Sequence, residues 1–389
     1  MTRDRDPAPD SFAHEAPEHP YVEALETLNP IDQERLLQTG FIPGGDVRVG
    51  TYMQTDHSVV HCTVAQDGLE VMSTDEALKK HDWLKHYHWR LVPRDLDEFT
   101  VYARTHARGG YFVRALPGAK ATYPLQAGLH IAQDGLAQCV HNIVIVEEGA
   151  ELNMITGCVS AREVRTGLHI GISEFYIKKN AKLTFTMIHN WADNMHVQPR
   201  GATMVEEGGV FLQNYVSLYP LKSLKMNPAI YLNGPGAVAR SNTILVAVPG
   251  SRLDVGSRVY LDAPETRAEV VARTITTGGD VINRGHLVGK VAGVRAHLEC
   301  HGLLLTPRGL IHAIPELEAW VEGAEMSHEA AVGKIAPEEI EYLMARGLNE
   351  DEAKATIVRG FLNVKMDGLP EELQARIDEA IRQSQESIM

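Results

Sequence analysis

Apolar and polar positions along this chain follow helical spacing near both ends and strand-like spacing between them. Residues 1–20, MTRDRDPAPDSFAHEAPEHP, mix Asp, Pro, His and Glu with few apolar anchors. Such a stretch buries too little to offset its chain entropy, which predicts a flexible tail. Over residues 21–97 the spacing is partly helical, with Val22, Leu25 and Leu28, then Leu36 and Leu37, and later Ala77, Leu78 and Leu84. VRVGTYM and SVVHCTV read as short strands between them, so this stretch predicts a small mixed α/β domain that ends in DEALKKHDWLKHYHWRLVP.

From 98 to 314 the pattern changes to alternating or apolar runs such as HNIVIVEEGAELNMITG, NTILVAVPGSRLDVGSRVYL and GHLVGKVAGVRAHLECHGLLL. Gly149, Asn180, Gly208 and Gly236 lie about 28 to 31 residues apart, and Gly236, Gly250, Pro264, Gly279 and Gly293 follow at roughly 14. A coil of about 28 residues with a corner at half that distance predicts a mainly β fold with a stacked β-solenoid core, each coil burying its apolar face against its neighbours. A β-sandwich shares the strand and turn signals but does not require the regular beat. Residues 315–389 return to helical spacing. Pro337 starts one helix with Ile340, Leu343 and Met344 on a face. Asn349 with Glu352 caps a second carrying Ala353, Ile357, Val358 and Phe361, and Pro370 starts a third with Leu373, Ile377 and Ile381.

Charge and composition narrow the partners. Lys plus Arg number 37 against 51 Asp plus Glu, a formal net charge of -14, which disfavours nucleic acid and anionic lipid surfaces. No run of eighteen apolar residues occurs and the amino terminus is polar, so the expectation is a soluble, cytoplasmic protein. Cys62, Cys139, Cys158 and Cys300 stand far apart without a CxxC pair, which excludes a disulfide scaffold or zinc finger.

Familiar catalytic signatures are missing. GHLVGKV at Gly285 is one residue short of a Walker A loop and ends in Val, while HEAAVGKI at His328 lacks the first Gly. Neither GxGxxG, GxSxG nor HExxH occurs. His81, His86 and His88 lack the i, i+4 spacing of a helical metal clamp. What remains is a late group of metal-capable side chains. Cys300 and His301 are neighbours on a strand and so point to opposite faces. Ser327, His328 and Glu329 follow about 28 residues later. A thiolate, an imidazole and a carboxylate together suit iron, zinc or an iron–sulfur ligand set, whereas a lone strand cysteine is otherwise a small core hydrophobe.

Several stretches together resemble the SufB/SufD family, scaffold components of the SUF iron–sulfur assembly system. These are LKHYHWRLVPRDLDEFTVY, GGYFVRALPGAKATYPLQ, VEEGAELNMITGCVSA, LHIGISEFYIKKNAKLTFTMIHNW and SHEAAVGKIAPEEIEYLMARGLNEDEAKATIVRGFL, from about Leu84 to Ile381. The resemblance implies a right-handed parallel β-helix flanked by helical segments. It implies that Cys300 is the site of nascent cluster assembly, with His328 and Glu329 as further ligands, and it draws attention to Cys158, His301 and Ser327. Ser327 stands where the SufB motif EHE has its first Glu, and Met326 where SufD has Cys. Cys158 follows TG where many SufB sequences have EG. Met204 falls where SufB receives sulfur on a cysteine. The family further implies an iron–sulfur cluster, with [4Fe–4S] favoured, and no nucleotide on this chain. It also implies a SufC-like ABC ATPase docked on the C-terminal helices, a homodimer in place of the usual heterodimer, a sulfur donor and recipient apoproteins. A reading of another class is a β-solenoid carbohydrate-active enzyme, which would need paired carboxylates on neighbouring coils; Glu147, Glu148, Glu206 and Glu207 sit at corners.

Overall fold

The repeating small residues mark the corners at which the chain reverses. Gly149, Gly208 and Gly236 adopt φ of 69°, 63° and 70°, and Asn180 follows at 54°. Left-handed backbone is unstrained without a Cβ and is tolerated by Asn, so the beat in the sequence becomes a beat of turns. The computed structural model describes residues 6–44 and 47–362. Between the corners the strands pair in parallel into a β-solenoid of about eight coils, whose walls are one sheet of ten strands and one of eleven. Side chains alternate between lumen and exterior. In Arg295–Leu304, Ala296, Leu298 and Cys300 join the central core, while Arg295, His297, Glu299 and His301 face out.

Among the described residues five α-helices lie around this stack: α1 (Pro30–Leu37), α2 (Thr74–Lys80), α3 (Glu98–His106), α4 (Pro337–Met344) and α5 (Glu350–Leu362). The two strands read near the amino terminus form an antiparallel hairpin, Gly50–Thr55 with Ser58–Val64. Gly50–Thr55 also pairs in parallel with Leu125–Ile131, which makes the hairpin continuous with the solenoid sheet. Asn349 and Glu352 cap α5 reciprocally, at 2.8 and 2.9 Å. That helix lays Val358 and Leu362 on an outer apolar strip with Val246, Ile275 and Leu303. The helix read from Pro370 lies outside the described residues. Among the described residues no helix is long and apolar enough to cross a membrane.

Two expectations are corrected. Residues 6–20 are not a loose tail. Ala13 bridges to Leu136, Glu15 pairs with Arg108 at 2.8 Å, and His19 pairs at 2.8 Å with Asp56, whose side chain is fully buried. Polar side chains supply the attachment that the missing apolar anchors could not. The β-ladder also continues past residue 314. Leu310–Ala319 pairs along Asp280–Gly289, and Glu325–Lys334 along Arg295–Leu304, so helix begins only at Pro337. Pro315 lies within Leu310–Ala319, an edge strand, where a residue without an N–H is accommodated.

A buried carboxylate fastens the segment after α2 to the stack. Glu174 accepts hydrogen bonds from the amides of Trp89, Leu91 and Val92, at 2.6, 2.5 and 3.2 Å, and pairs with His141 at 2.9 Å. Burial by itself would raise this carboxyl. The His141 contact and the amides of Leu91 and Val92 outweigh it and hold the group below its ordinary value. Trp89, with φ of 59°, is kept in a left-handed conformation by the same grip. Glu174→Gln should therefore cost about 3 kcal/mol and lower the melting temperature by several degrees, read by circular dichroism. Because the folded carboxyl is depressed, its contribution is complete above the ordinary carboxylate value and fades as pH falls below it. The difference between wild type and variant should shrink in acid; a variant that melts with wild type at neutral pH removes this role.

Candidate functional site

The residues singled out by sequence fall on two neighbouring strands, Arg295–Leu304 and Glu325–Lys334, whose register sets Leu298 opposite His328, Glu299 opposite Glu329 and Cys300 opposite Ala330. Alternation then divides them. Cys300 is 1% exposed and belongs to the lumen core. His328 shares the inward set with Met326, which packs on that core, and its Nε2 is buried with no hydrogen-bond partner. Ser327 and Glu329 face outward beside His301.

Burial, and after it the neighbouring Glu299 carboxylate, pushes the Cys300 thiol up to about 11, so at neutral pH it is a protonated thiol and a poor ligand as it stands. On the outer face His301 Nε2 lies 3.5 Å from Glu299 Oε1 and 3.6 Å from Glu329 Oε1. Ser327 Oγ is 2.8 Å from His297 Nδ1. Glu299 is engaged by Arg273 of the preceding coil. Thus Cys300 and His328 share the lumen wall, His301 and Glu329 share the exterior, and one copy of the chain does not bring Cys300, His328 and Glu329 to one point. Among the described residues no group of three His, Cys, Asp or Glu is arranged to hold a metal ion.

Cys158 stands apart from this set. It is fully buried, with its thiol raised by burial, on the rung of Gly302 but five coils before it. Its rung continues through His189 and Ser217, a lumen column of thiol, imidazole and hydroxyl that motif spacing did not reveal because the three come from separate coils. Met204 faces out from Arg200–Val205 and packs beside Tyr176. Sequence reasoning also missed Arg273 and Glu299. The two-residue alternation through His297, Glu299 and His301 held the signal for Glu299; Arg273 needed the coil register.

Glu325–Lys334 is the last strand of one sheet and Leu310–Ala319 of the other, while Arg295–Leu304 with Cys300 lies one strand in. Among the described residues nothing pairs with the outer edge of either last strand, and Leu317, Trp320, Val321 and Val332 are 40%, 64%, 40% and 45% exposed there. Phe361, one of the apolar residues read on the second C-terminal helix, packs toward the solenoid wall. The outward side chains of the C-terminal helices are instead Tyr342 and Met344, and α4 has no buried residue.

The family profile described as "SUF system FeS cluster assembly, SufBD core domain" matches residues 129–361, more than half of the chain. An iron-sulfur cluster assembly SufBD family protein of Archaeoglobus fulgidus is 48% identical over 359 residues, which span 92% of this chain and 96% of that one. A relative of the same description from Methanothermobacter thermautotrophicus is 44% identical over 366 residues, 93% of this chain and 89% of its own. The iron-sulfur cluster assembly protein SufB of Bacillus subtilis is 29% identical over 341 residues, 86% and 73% of the two chains. With a solenoid of parallel coils, a cysteine in the coil before the last and these relatives, the chain belongs to the SufBD family of iron–sulfur cluster assembly proteins.

Proposed function

We propose that this protein is a scaffold on which an iron–sulfur cluster is built and then released, with Cys300 and His328 as ligands from the lumen wall and Glu329 reaching from the outer face. The observation that carries the reading is the position of these residues on the last two strands of one sheet, at the end of an open-ended stack. Unpaired strand edges and exposed Leu317, Trp320, Val321 and Val332 suit a second copy of the chain laid end to end, so that two lumen mouths face each other. Cys300 ionises and binds iron once that end rearranges, because in the single chain it is buried and protonated. Nitrogen and oxygen donors hold cluster iron less firmly than thiolates, and a loosely held cluster is what a donor to apoproteins requires.

ATP hydrolysis belongs on this reading to an ABC ATPase docked on the exposed face of α4, with a sulfur donor and recipient apoproteins completing the cycle. The four cysteines are free thiols, which goes with a reducing, cytoplasmic setting. The carbohydrate-enzyme reading is not favoured. Three of its four candidate acids are spent on ion pairs: Glu147 with Arg114, Glu206 with Lys178 and Glu207 with Lys179.

Anaerobic reconstitution with ferrous iron and sulfide, followed by Mössbauer spectroscopy for cluster type, tests the scaffold. Cys300→Ser should lose most bound iron and sulfide while keeping its circular dichroism spectrum, and equal iron in both proteins would remove Cys300 from the site. Light scattering after gel filtration reads the second copy. Wild type should run at about twice the 42.9 kDa chain mass, and Leu317→Lys with Val332→Lys at the single-chain mass. A wild-type monomer at micromolar concentration sinks the paired arrangement. Tyr342→Asp with Met344→Asp should abolish co-purification with the co-expressed ATPase; retained binding by the folded variant moves the dock elsewhere.

A further inference from the structure

The outer face beside Cys300 carries a compact network of which cluster ligation uses only Glu329. Arg273, Glu299 and His301 have side chains only 19%, 18% and 22% exposed, with Glu329 above them at 67%. Register builds the group, because Val271, Glu299 and Glu329 form one rung and Arg273, His301 and Ala331 another. Arg273 pairs directly with Glu299. The two carboxylate oxygens near His301 Nε2, at 3.5 and 3.6 Å, are too distant for good hydrogen bonds, and that nitrogen is buried without a partner. One unsatisfied imidazole nitrogen therefore faces two carboxylates, one of which is held by a guanidinium.

An imidazole nitrogen with two carboxylate oxygens is a donor set for a divalent transition ion. Their present arrangement does not converge on an ion, and the guanidinium supplies the reason, since it already compensates Glu299. On its other side Arg273 meets α5, with Cζ 5.8 Å from the Phe361 ring centroid, within cation–π range. The guanidinium is thus clamped between a carboxylate on the solenoid and an aromatic ring on a C-terminal helix.

We propose that Arg273 is a positioning residue that masks a latent divalent-cation site formed by His301, Glu299 and Glu329, and that α5 sets the mask through Phe361. The inference rests on the scaffold reading, in which ferrous iron is the ion to be handled. A partner that draws α5 off the sheet removes the ring and admits water to the guanidinium, and a solvated ion pair holds its carboxylate weakly. Glu299 then turns to an incoming ion as the guanidinium leaves, so the carboxylates exchange one cation for another and stay compensated. Iron capture would in this way be coupled to the state of the C-terminal helices on the face opposite the lumen thiol.

Cobalt(II) is the probe, titrated anaerobically into the full chain by calorimetry and visible absorption. Cys300→Ser is present throughout so that the lumen thiol contributes nothing. Arg273→Gln should bind cobalt at least about tenfold more tightly than its parent, and adding Glu299→Gln should cancel the gain. Phe361→Ala should give part of the gain, while Arg273→Lys, which keeps the charge, should stay near the parent. Equal affinity in folded Arg273→Gln and its parent overturns the proposal, as does a gain that survives Glu299→Gln. If Arg273→Gln fails to fold, Phe361→Ala decides, and no gain there overturns it. Since the cobalt titration reads no cluster, loss of the scaffold reading in reconstitution and loss of this mask are separate results.

Discussion

In-register parallel stacking is the constraint from which the rest of this structure follows. Each strand spends its backbone groups on the coils before and after it, and each coil buries its inward side chains only against those neighbours. A residue's surroundings are then set by two quantities, the parity of its position within the strand and the rung it occupies. Leu129, Cys158, His189, Ser217, Leu245, Thr274 and Gly302 share one rung although they span most of the solenoid sequence. The stack has no internal reason to stop. Its final strands are left with unpaired edges and half-covered apolar side chains, and that is where the chemistry-bearing residues collect.

The same parity that protects Cys300 expels its neighbours. A thiol on the lumen wall is dry, protonated and unreactive, while Glu299 and His301 one residue to either side stand on the outer surface. Soft and hard donors are thus separated by one strand, and joining them requires either a second chain at the open mouth or movement of the last coil. Charge is arranged by the same geometry. Lys178 with Glu206 and Lys179 with Glu207 are each 28 residues apart in sequence, one coil, so pairs form along the stack between corners. The lumen imidazoles stay neutral. Burial lowers His169 to about 4 and takes His189 well below its ordinary value, so they carry no charge at physiological pH, and His130, buried behind the outer face of the wall, is likewise lowered to about 4.

The helices do not form a separate body around this stack. Segments that are polar in sequence are held by specific buried partners: Glu174 fastens the stretch around Trp89, and Asp56 receives His19. At the other end, α5 covers an outer apolar strip and brings Phe361 over Arg273, which ties the C-terminal helices to the charge network beside the candidate ligands. A solenoid wall is stiff along its rungs, so what happens to such a helix is felt at the few outward side chains beneath it.

The sequence by itself pointed to the solenoid over a β-sandwich, because turn geometry is local: Gly149, Asn180, Gly208 and Gly236, about 28 to 31 residues apart, all proved to be left-handed turns, and the parallel pairing of the strands between them decided the matter. It also determined the cap of α5, where Asn349 and Glu352 are three residues apart, and the opposite facing of Cys300 and His301, which needs only strand alternation. Tertiary structure decided the rest. Pro315 looked like the end of the strands, yet it lies in an edge strand, a property of the whole sheet that no local window contains. Residues 6–20 looked unanchored because their partners, Tyr102, Arg108 and Asp56, are far along the chain. The candidate ligands looked like one set, and register divided them between lumen and exterior. Arg273 was invisible as part of the site since its relation to Glu299 and Phe361 exists only once one coil is laid on the next and a helix is laid over both.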